Sequence, residues 1–290
     1  MESNSQPLGR PWDHANVALA TELPLDGMEE LIGYTDYNFV IAPTYIKYPL
    51  YAEFYKRERQ RGAYTILDNG AFEGQLVSVS DLLRIIEDLK PDEVVAPDII
   101  GDRDATLDAA DKFMHALDPS TIDFKVQFCP QGKCLHEWLE CYRELWTIGN
   151  SHISLHARKG FVYGISYVTK VNRDDYFHMK ALNNFKSMEA SESIRMMFFS
   201  LIMAYGDVIH SVPHHLLGLG DVKALRFYSQ CSFVRSVDTS FPITTAIEGT
   251  CLNRQTKKPK VYLDYEAHFT QETIELAKEN IKWLREECIR

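Results

Sequence analysis

The chain has 290 residues, 45% hydrophobic and 25% charged, an ordinary globular composition that excludes a disordered chain and can build one large domain or two small ones. Its formal charge of -10 at pH 7 excludes nucleic-acid binding by bulk electrostatics, so any such contact must be local. The opening MESNSQPLGRPWDH lacks the basic and apolar regions of a secretion signal, and no stretch reaches the ~20 apolar residues of a membrane span, so the expectation is an intracellular, cytoplasmic protein with no membrane contact.

In chain order, strands are predicted at WDHANVALA, NFVIAPTYI, AYTILDN, DEVVAPDI, FKVQFCP, HISLHA, HHLLGLG and CSFVRSVD. Between them, segments such as Ser80 to Leu89, Ala105 to Leu117 and Leu135 to Trp146 are apolar at three- and four-residue intervals and predict helices. This alternation predicts an α/β fold, a (β/α)8 TIM barrel, whose usual length is ~250 residues. More than fifty residues separate HISLHA from HHLLGLG. Their polar part, about 160–190, predicts an insertion over the mouth of the barrel, and IRMMFFSLIMAYGD predicts a barrel helix. The segment 271–290 predicts a closing helix, and without repeat or low-complexity linker the expectation is a single domain over 1–290. Cys129, Cys134, Cys141, Cys231, Cys251 and Cys288 include no C-x-x-C pair, which predicts buried free thiols in place of a zinc knuckle or redox dithiol.

Polar residues gather where these strands end. Strand three runs into Asp68, with Asn69 and Gly70 beside it; strand four ends in Asp98, strand five in Gln131-Gly132, strand six in His156 and Arg158, strand seven in Gly218 and Gly220, strand eight in Asp238. In a barrel these share one mouth, where active sites of this fold lie. Each has an ordinary alternative: an aspartate after a strand often caps the next helix, a lone G-x-G can be only a turn, and His156 with Arg158 can be a surface pair. For Asp98 the capping role is better filled by Asp102 or Asp104. Three aspartates in one pocket raise one another's pKa, which suggests a use: a divalent metal, or covalent and acid/base chemistry at a sugar carbon. Metal-dependent barrel hydrolases supply several histidines; SLHAR offers one, and His214-His215 begin a strand.

Five segments in order carry a resemblance. LDNGAFE resembles the D-S-G-G-F-Q segment of the tRNA-guanine transglycosylases, VVAPDI their strand with a base-recognising Asp, and CPQGKCLHEW their V-Q-G-G stretch. HHLLGLGDVKAL resembles their Y-L-M-G-V-G segment and VRSVDTSFPITTA their F-D-C-V-x-P-T-R, over roughly residues 35 to 250. Within that superfamily the divergent motifs look most like the viral branch, the DpdA-type enzymes that exchange guanine in DNA for a 7-deazaguanine. The resemblance implies that Asp238 is a nucleophile attacking C1′, that Asp68 helps move protons, and that Asp98 and Gln131, with Gly132, hydrogen-bond the Watson–Crick edge of the base. Asn69-Gly70 would leave room for a flat base beside Asp68, and Gly218 and Gly220 would line the base site.

The chain departs from that pattern in two places. The C-x-C-x-x-C zinc motif is absent, since only Cys251 and Cys288 follow Asp238, so no cofactor is expected. The G-G-L-A-V-G-E stretch is replaced by His156-Ala157-Arg158-Lys159-Gly160, where His156 or Arg158 would meet a 7-substituent or a phosphate. Of several basic clusters, including Lys56, Arg57, Arg59 and Arg61, the one best placed to hold a backbone is Arg254, Lys257, Lys258 and Lys260, close after Asp238. The expected substrates are a 7-deazaguanine base and DNA, rather than tRNA, because little chain follows the barrel to form an RNA-binding domain. A tRNA-acting enzyme, a metal-dependent barrel hydrolase and a catalytically inactive base-binding module are the alternatives.

Overall fold

The computed structural model of the chain describes residues 17–72, 74–118, 122–156, 160–166, 190–205, 212–219, 222–254 and 263–289. Eight short strands follow one another: β1 (Ala18–Ala20), β2 (Asn38–Ile41), β3 (Thr65–Asp68), β4 (Glu93–Val95), β5 (Lys125–Phe128), β6 (Phe161–Ser166), β7 (His214–Leu217) and β8 (Val234–Asp238). All neighbours pair in parallel, in the order β1-β8-β7-β6-β5-β4-β3-β2, a nearly closed barrel. The helices are α1 (Met28–Leu31), α2 (Ala42–Lys47), α3 (Pro49–Gln60), α4 (Val79–Leu89), α5 (Arg103–Ala116), α6 (Leu135–His156), α7 (Ala190–Tyr205), α8 (Leu225–Tyr228), α9 (Phe241–Ile247) and α10 (Gln271–Ile289). Strands covered on both faces read as near-continuous apolar runs, which is why NFVI and EVV are buried throughout.

The seam between β1 and β2 is closed by Asp36, two residues before β2. Asp36 N–H donates to Leu19 O at 2.8 Å, and Leu19 N–H donates to Asp36 Oδ2 at 2.8 Å. Tyr37 Oη reaches past β1 to donate to Val237 O at 2.8 Å, and Arg285 of α10 pairs with the other Asp36 oxygen. The closing helix therefore acts on the seam directly.

Two predicted strands are corrected. NFVIAPTYI leaves the strand after Ile41, because Pro43 suits the first turn of α2 and cannot donate to a ladder. HISLHA is not strand six: it forms the end of α6, and β6 is FVYGIS, paired with β5 from Val126↔Phe161 and with β7 from Tyr163↔His214. A short apolar run fits helix and strand alike, and here the helix continues through Gly149, where a Cβ would lie 2.9 Å from the Phe161 ring. The missing side chain lets α6 lie close on β6. His156 therefore ends a helix that leads into the amino-terminal end of β6, opposite the mouth, and Arg158 lies outside the described residues. The predicted insertion at about 160–190 begins with β6 itself; residues 167–189 lie outside the described residues. All six cysteines are free thiols, four of them buried, and among the described residues no helix is long and apolar enough to cross a membrane.

Replacing Asp36 by Ala strands the Leu19 N–H and the Arg285 guanidinium together. Chemical denaturation of Asp36→Ala is expected to show an unfolding free energy lower by about 2 kcal/mol, most of it the cost of the unpaired amide.

Candidate active site

Strand register decides what enters the barrel. Side chains alternate across a strand, and the pairs Ala20↔Asp238, Ile41↔Asp68 and Ser166↔Leu217 put one residue from each of six strands into a single inward layer at the carboxyl-terminal end. Below it lies a second layer with Ala18, Phe39, Ile66, Val95, Gln127, Gly164, His215 and Ser236. Gly164 leaves room there for Gln127, whose Nε2 would stand 2.5 Å from a Cβ at that position. Between His214 and His215 the β7–β8 register slips, so Arg235 is an extra residue on β8, and its guanidinium crosses the barrel to pair with buried Glu93 of β4. A cleft of about 690 Å³, its open mouth included, stands above these layers and is lined by Glu22, Asp68, Asp98, Gln131, Gly218 and Asp238, among others.

Asp238, the last residue of β8, is buried and strongly oriented. His215 Nε2 lies 3.0 Å from Asp238 Oδ1, Gly218 N–H donates to the same oxygen at 3.1 Å, and His215 Nδ1 lies 2.8 Å from Ser236 Oγ. A carboxylate oxygen accepts, so a proton shared in this pair lies on the Nε2 side, and the Ser236 hydroxyl, which can donate or accept, completes the ring's second contact. The imidazole stacks on Phe39 at 5.7 Å between centroids. Both bonds fall on Oδ1, and among the described residues none falls on Oδ2. His214, one residue earlier, faces the helical layer and bonds to Tyr142.

Asp98 stands at the centre of a second network. Its Oδ1 accepts from Asn69 Nδ2 at 2.8 Å and its Oδ2 from Gln131 Nε2 at 2.7 Å, while Gln131 Oε1 accepts from Gly101 N–H at 3.1 Å. Burial pushes the Asp98 pKa up, and the Asn69 and Gln131 bonds oppose that rise. Asp98 caps nothing: the cap of α5 is Asp102, which accepts from Ala105 N–H at 3.1 Å.

Several expected roles move. Asn69 holds Asp98 and the Ala96 carbonyl. Gly70 packs beneath Pro43: at φ 81° it donates its N–H to Asp68 Oδ1 at 2.7 Å, and a Cβ would lie 2.4 Å from Pro43. Its glycine is required by a left-handed turn under a proline ring. Gly132 lies against the backbone of α6, where a Cβ would be 2.5 Å from Trp138 N. Gly218 lines the cleft, and Gly220 lies outside the described residues. Arg254 ends a short 3-10 turn, Leu252–Arg254, and Lys257, Lys258 and Lys260 lie outside the described residues. In the earlier basic cluster, Lys56, Arg57, Arg59 and Arg61 are all paired, with Glu53 and Asp88, Glu29, Asp92 and Glu58 respectively. Among the described residues no three His, Cys, Asp or Glu side chains are grouped to hold a metal ion.

Two residues of the site escaped sequence reasoning. His215 is at the start of its strand, yet its inward parity carries it under Asp238. Glu22 lies two residues beyond β1, the position relative to a strand that drew attention to other carboxylates, and it lines the same cleft as Asp68 and Asp238. Its Oε2 accepts from Tyr265 Oη at 2.9 Å. Burial first, then the Asp238 charge, pushes its pKa up to about 7, against the Tyr265 bond and with a further rise from Asp68.

No protein-family model matches this chain, and no curated protein matches it.

Because Glu22 ionises at about 7 in the folded chain and at 4.5 ordinarily, its contribution is favourable below pH 4.5 and is lost as pH rises to 7, on the order of 3 kcal/mol. Melting curves from pH 4 to 9 are expected to show Glu22→Gln gaining on the native chain across that interval and holding a constant advantage above it.

Proposed function

We propose that the protein is a base-exchange transglycosylase that replaces guanine in DNA with a 7-deazaguanine, such as 7-cyano-7-deazaguanine, through a covalent aspartyl-glycosyl intermediate. The observation that carries this reading is Asp238: Oδ1 is held by His215 and the Gly218 amide, and Oδ2 is left to meet a sugar carbon in a cleft lined by further carboxyl groups. A nucleophile needs this arrangement, in which orientation comes from one oxygen and reactivity from the other.

In the proposed reaction, Asp238 Oδ2 attacks C1′ of the target nucleoside, the C1′–O bond forms, and the glycosidic C1′–N bond breaks with its electron pair passing to the leaving guanine. The incoming base then attacks C1′ from the face guanine left, returning the Asp238 carboxylate. Two inversions give retention. Asp98 is fit for the guanine edge because N1–H and the exocyclic amine are adjacent donors, and each carboxylate oxygen that already takes one bond from Asn69 or Gln131 keeps a lone pair. Phe72 and Phe241 also line the cleft and offer apolar faces to a heterocycle. A base buried this deeply must leave its stack, so the target nucleotide is flipped out or unpaired. With a net charge of -10, the backbone would be held by a local cluster, for which Arg254, Lys257, Lys258 and Lys260 remain the candidates. The choice of DNA, and of a 7-deazaguanine, rests on the resemblance of the quoted segments to the viral branch of the superfamily.

Nucleoside mass spectrometry after incubation with 7-cyano-7-deazaguanine and, separately, duplex DNA and bulk tRNA tests the proposal. The expected product is a modified deoxynucleoside, reduced by at least about 10³-fold in Asp238→Asn with the fold retained. A modified ribonucleoside would move the substrate to tRNA. No product from either would overturn base exchange.

A further inference from the structure

We infer that Glu22 is the proton carrier of the exchange, protonating the base that leaves and receiving the proton of the base that enters; the inference rests on the base-exchange reading above. A leaving purine takes an electron pair with it and needs a proton to depart as a neutral molecule. An entering purine must shed one to become a nucleophile. One acid in the cleft can serve both steps if it is protonated at rest.

The four carboxyl groups differ in what holds them. Asp98 takes two side-chain donors, Asp238 an imidazole and an amide, and Asp68 the Gly70 amide. Glu22 takes one neutral donor, the Tyr265 hydroxyl, on Oε2, and among the described residues no hydrogen bond falls on Oε1. Tyr265 is itself fixed: its carbonyl accepts from Leu25 N–H at 2.9 Å, and its ring meets Tyr51 edge-on at 6.0 Å. Among the described residues the ionisable groups facing Glu22 are Asp238 from β8, Asp68 from β3, Tyr265 from the loop before α10, and Tyr51 and Tyr55 from α3, with no cation among them. Two negative charges and a dry wall favour the acid form there. Glu22 also follows the strand whose Ala20 pairs with Asp238, so it stands beside the nucleophile.

The steps balance. As Asp238 Oδ2 bonds to C1′ and the C1′–N bond breaks, the Glu22 O–H proton passes to the departing base and leaves a Glu22 carboxylate. As the ring nitrogen of the entering base bonds to C1′, its N–H proton passes to Glu22, and the C1′–O electron pair returns to Asp238. Both groups end as they began. Donation requires protonated Glu22, so the rate falls as pH rises through about 7.

The test compares the native chain, Glu22→Gln and Asp238→Asn on guanine DNA and on DNA carrying N7-methylguanine, whose fixed positive charge lets the base leave neutral without a proton. Glu22→Gln is expected to lower guanine exchange by about 10²-fold or more and to lose the decline above neutrality, while covalent adduct formation on the methylated DNA falls by less than about 3-fold. Melting of the same variant establishes that the fold is kept. Native-like exchange and an unchanged alkaline decline in Glu22→Gln, with Asp238→Asn inactive, would overturn the role of Glu22 alone, as would equal losses on both DNAs. No exchange by the native chain would overturn the base-exchange reading and the relay with it.

Discussion

Four carboxyl groups, those of Glu22, Asp68, Asp98 and Asp238, line one largely buried cleft, and a site of low dielectric cannot hold four unsupported negative charges. Much of the surrounding structure answers that constraint. Asn69 and Gln131 serve Asp98, a glycine in a left-handed turn turns its amide onto Asp68, and His215 with the Gly218 amide serves Asp238. Glu22 is left with a tyrosine hydroxyl, and burial with the Asp238 charge raises its pKa against that bond.

The donors stay in place because the barrel beneath them is rigid. Arg195 of α7, buried and paired with Glu192 and Tyr228, donates through Nη1 to the carbonyls of Ile165, Leu217 and Gly218, clamping the ends of β6 and β7 where the Gly218 amide must point. Further down, the bulge that inserts Arg235 gives Glu93 its counter-charge, so the interior holds an ion pair with both partners present. Breaking such a pair costs far more than its net worth, because the remaining charge stays buried. The inward layers thus carry two polar groupings, the Arg235–Glu93 pair and, above it, the run from Ser236 through His215 to Asp238.

The residues most legible in the sequence were those whose type clashes with their setting. Asp68, Asp98 and Asp238 each follow an apolar run, and all three line the cleft. Gln131 was legible for the same reason. HISLHA misled because alternating apolar residues at a helix end imitate a strand, and Gly149, which ordinarily weakens a helix, is kept for the approach of Phe161. With strand six misplaced, His156 was assigned to the wrong end of the barrel. Gly70 and Gly132 were legible as close approaches, and within the chain what approaches them is Pro43 and Trp138. A glycine signals that something comes near without saying what.

By itself the sequence determined the α/β alternation, seven of the eight strands and the concentration of carboxylates at strand ends, because hydrophobic period and strand-end polarity are local properties written in neighbouring residues. Only the tertiary structure decided which donors hold each of those carboxylates, since they come from other strands: His215 from β7 on Asp238 of β8, Gln131 following β5 on Asp98 following β4. It alone brought Glu22 beside them, through a register of Ala20 with Asp238 that joins the first strand to the last. Pairing between residues more than two hundred positions apart leaves no periodic trace in either segment, so it emerges only when the barrel closes.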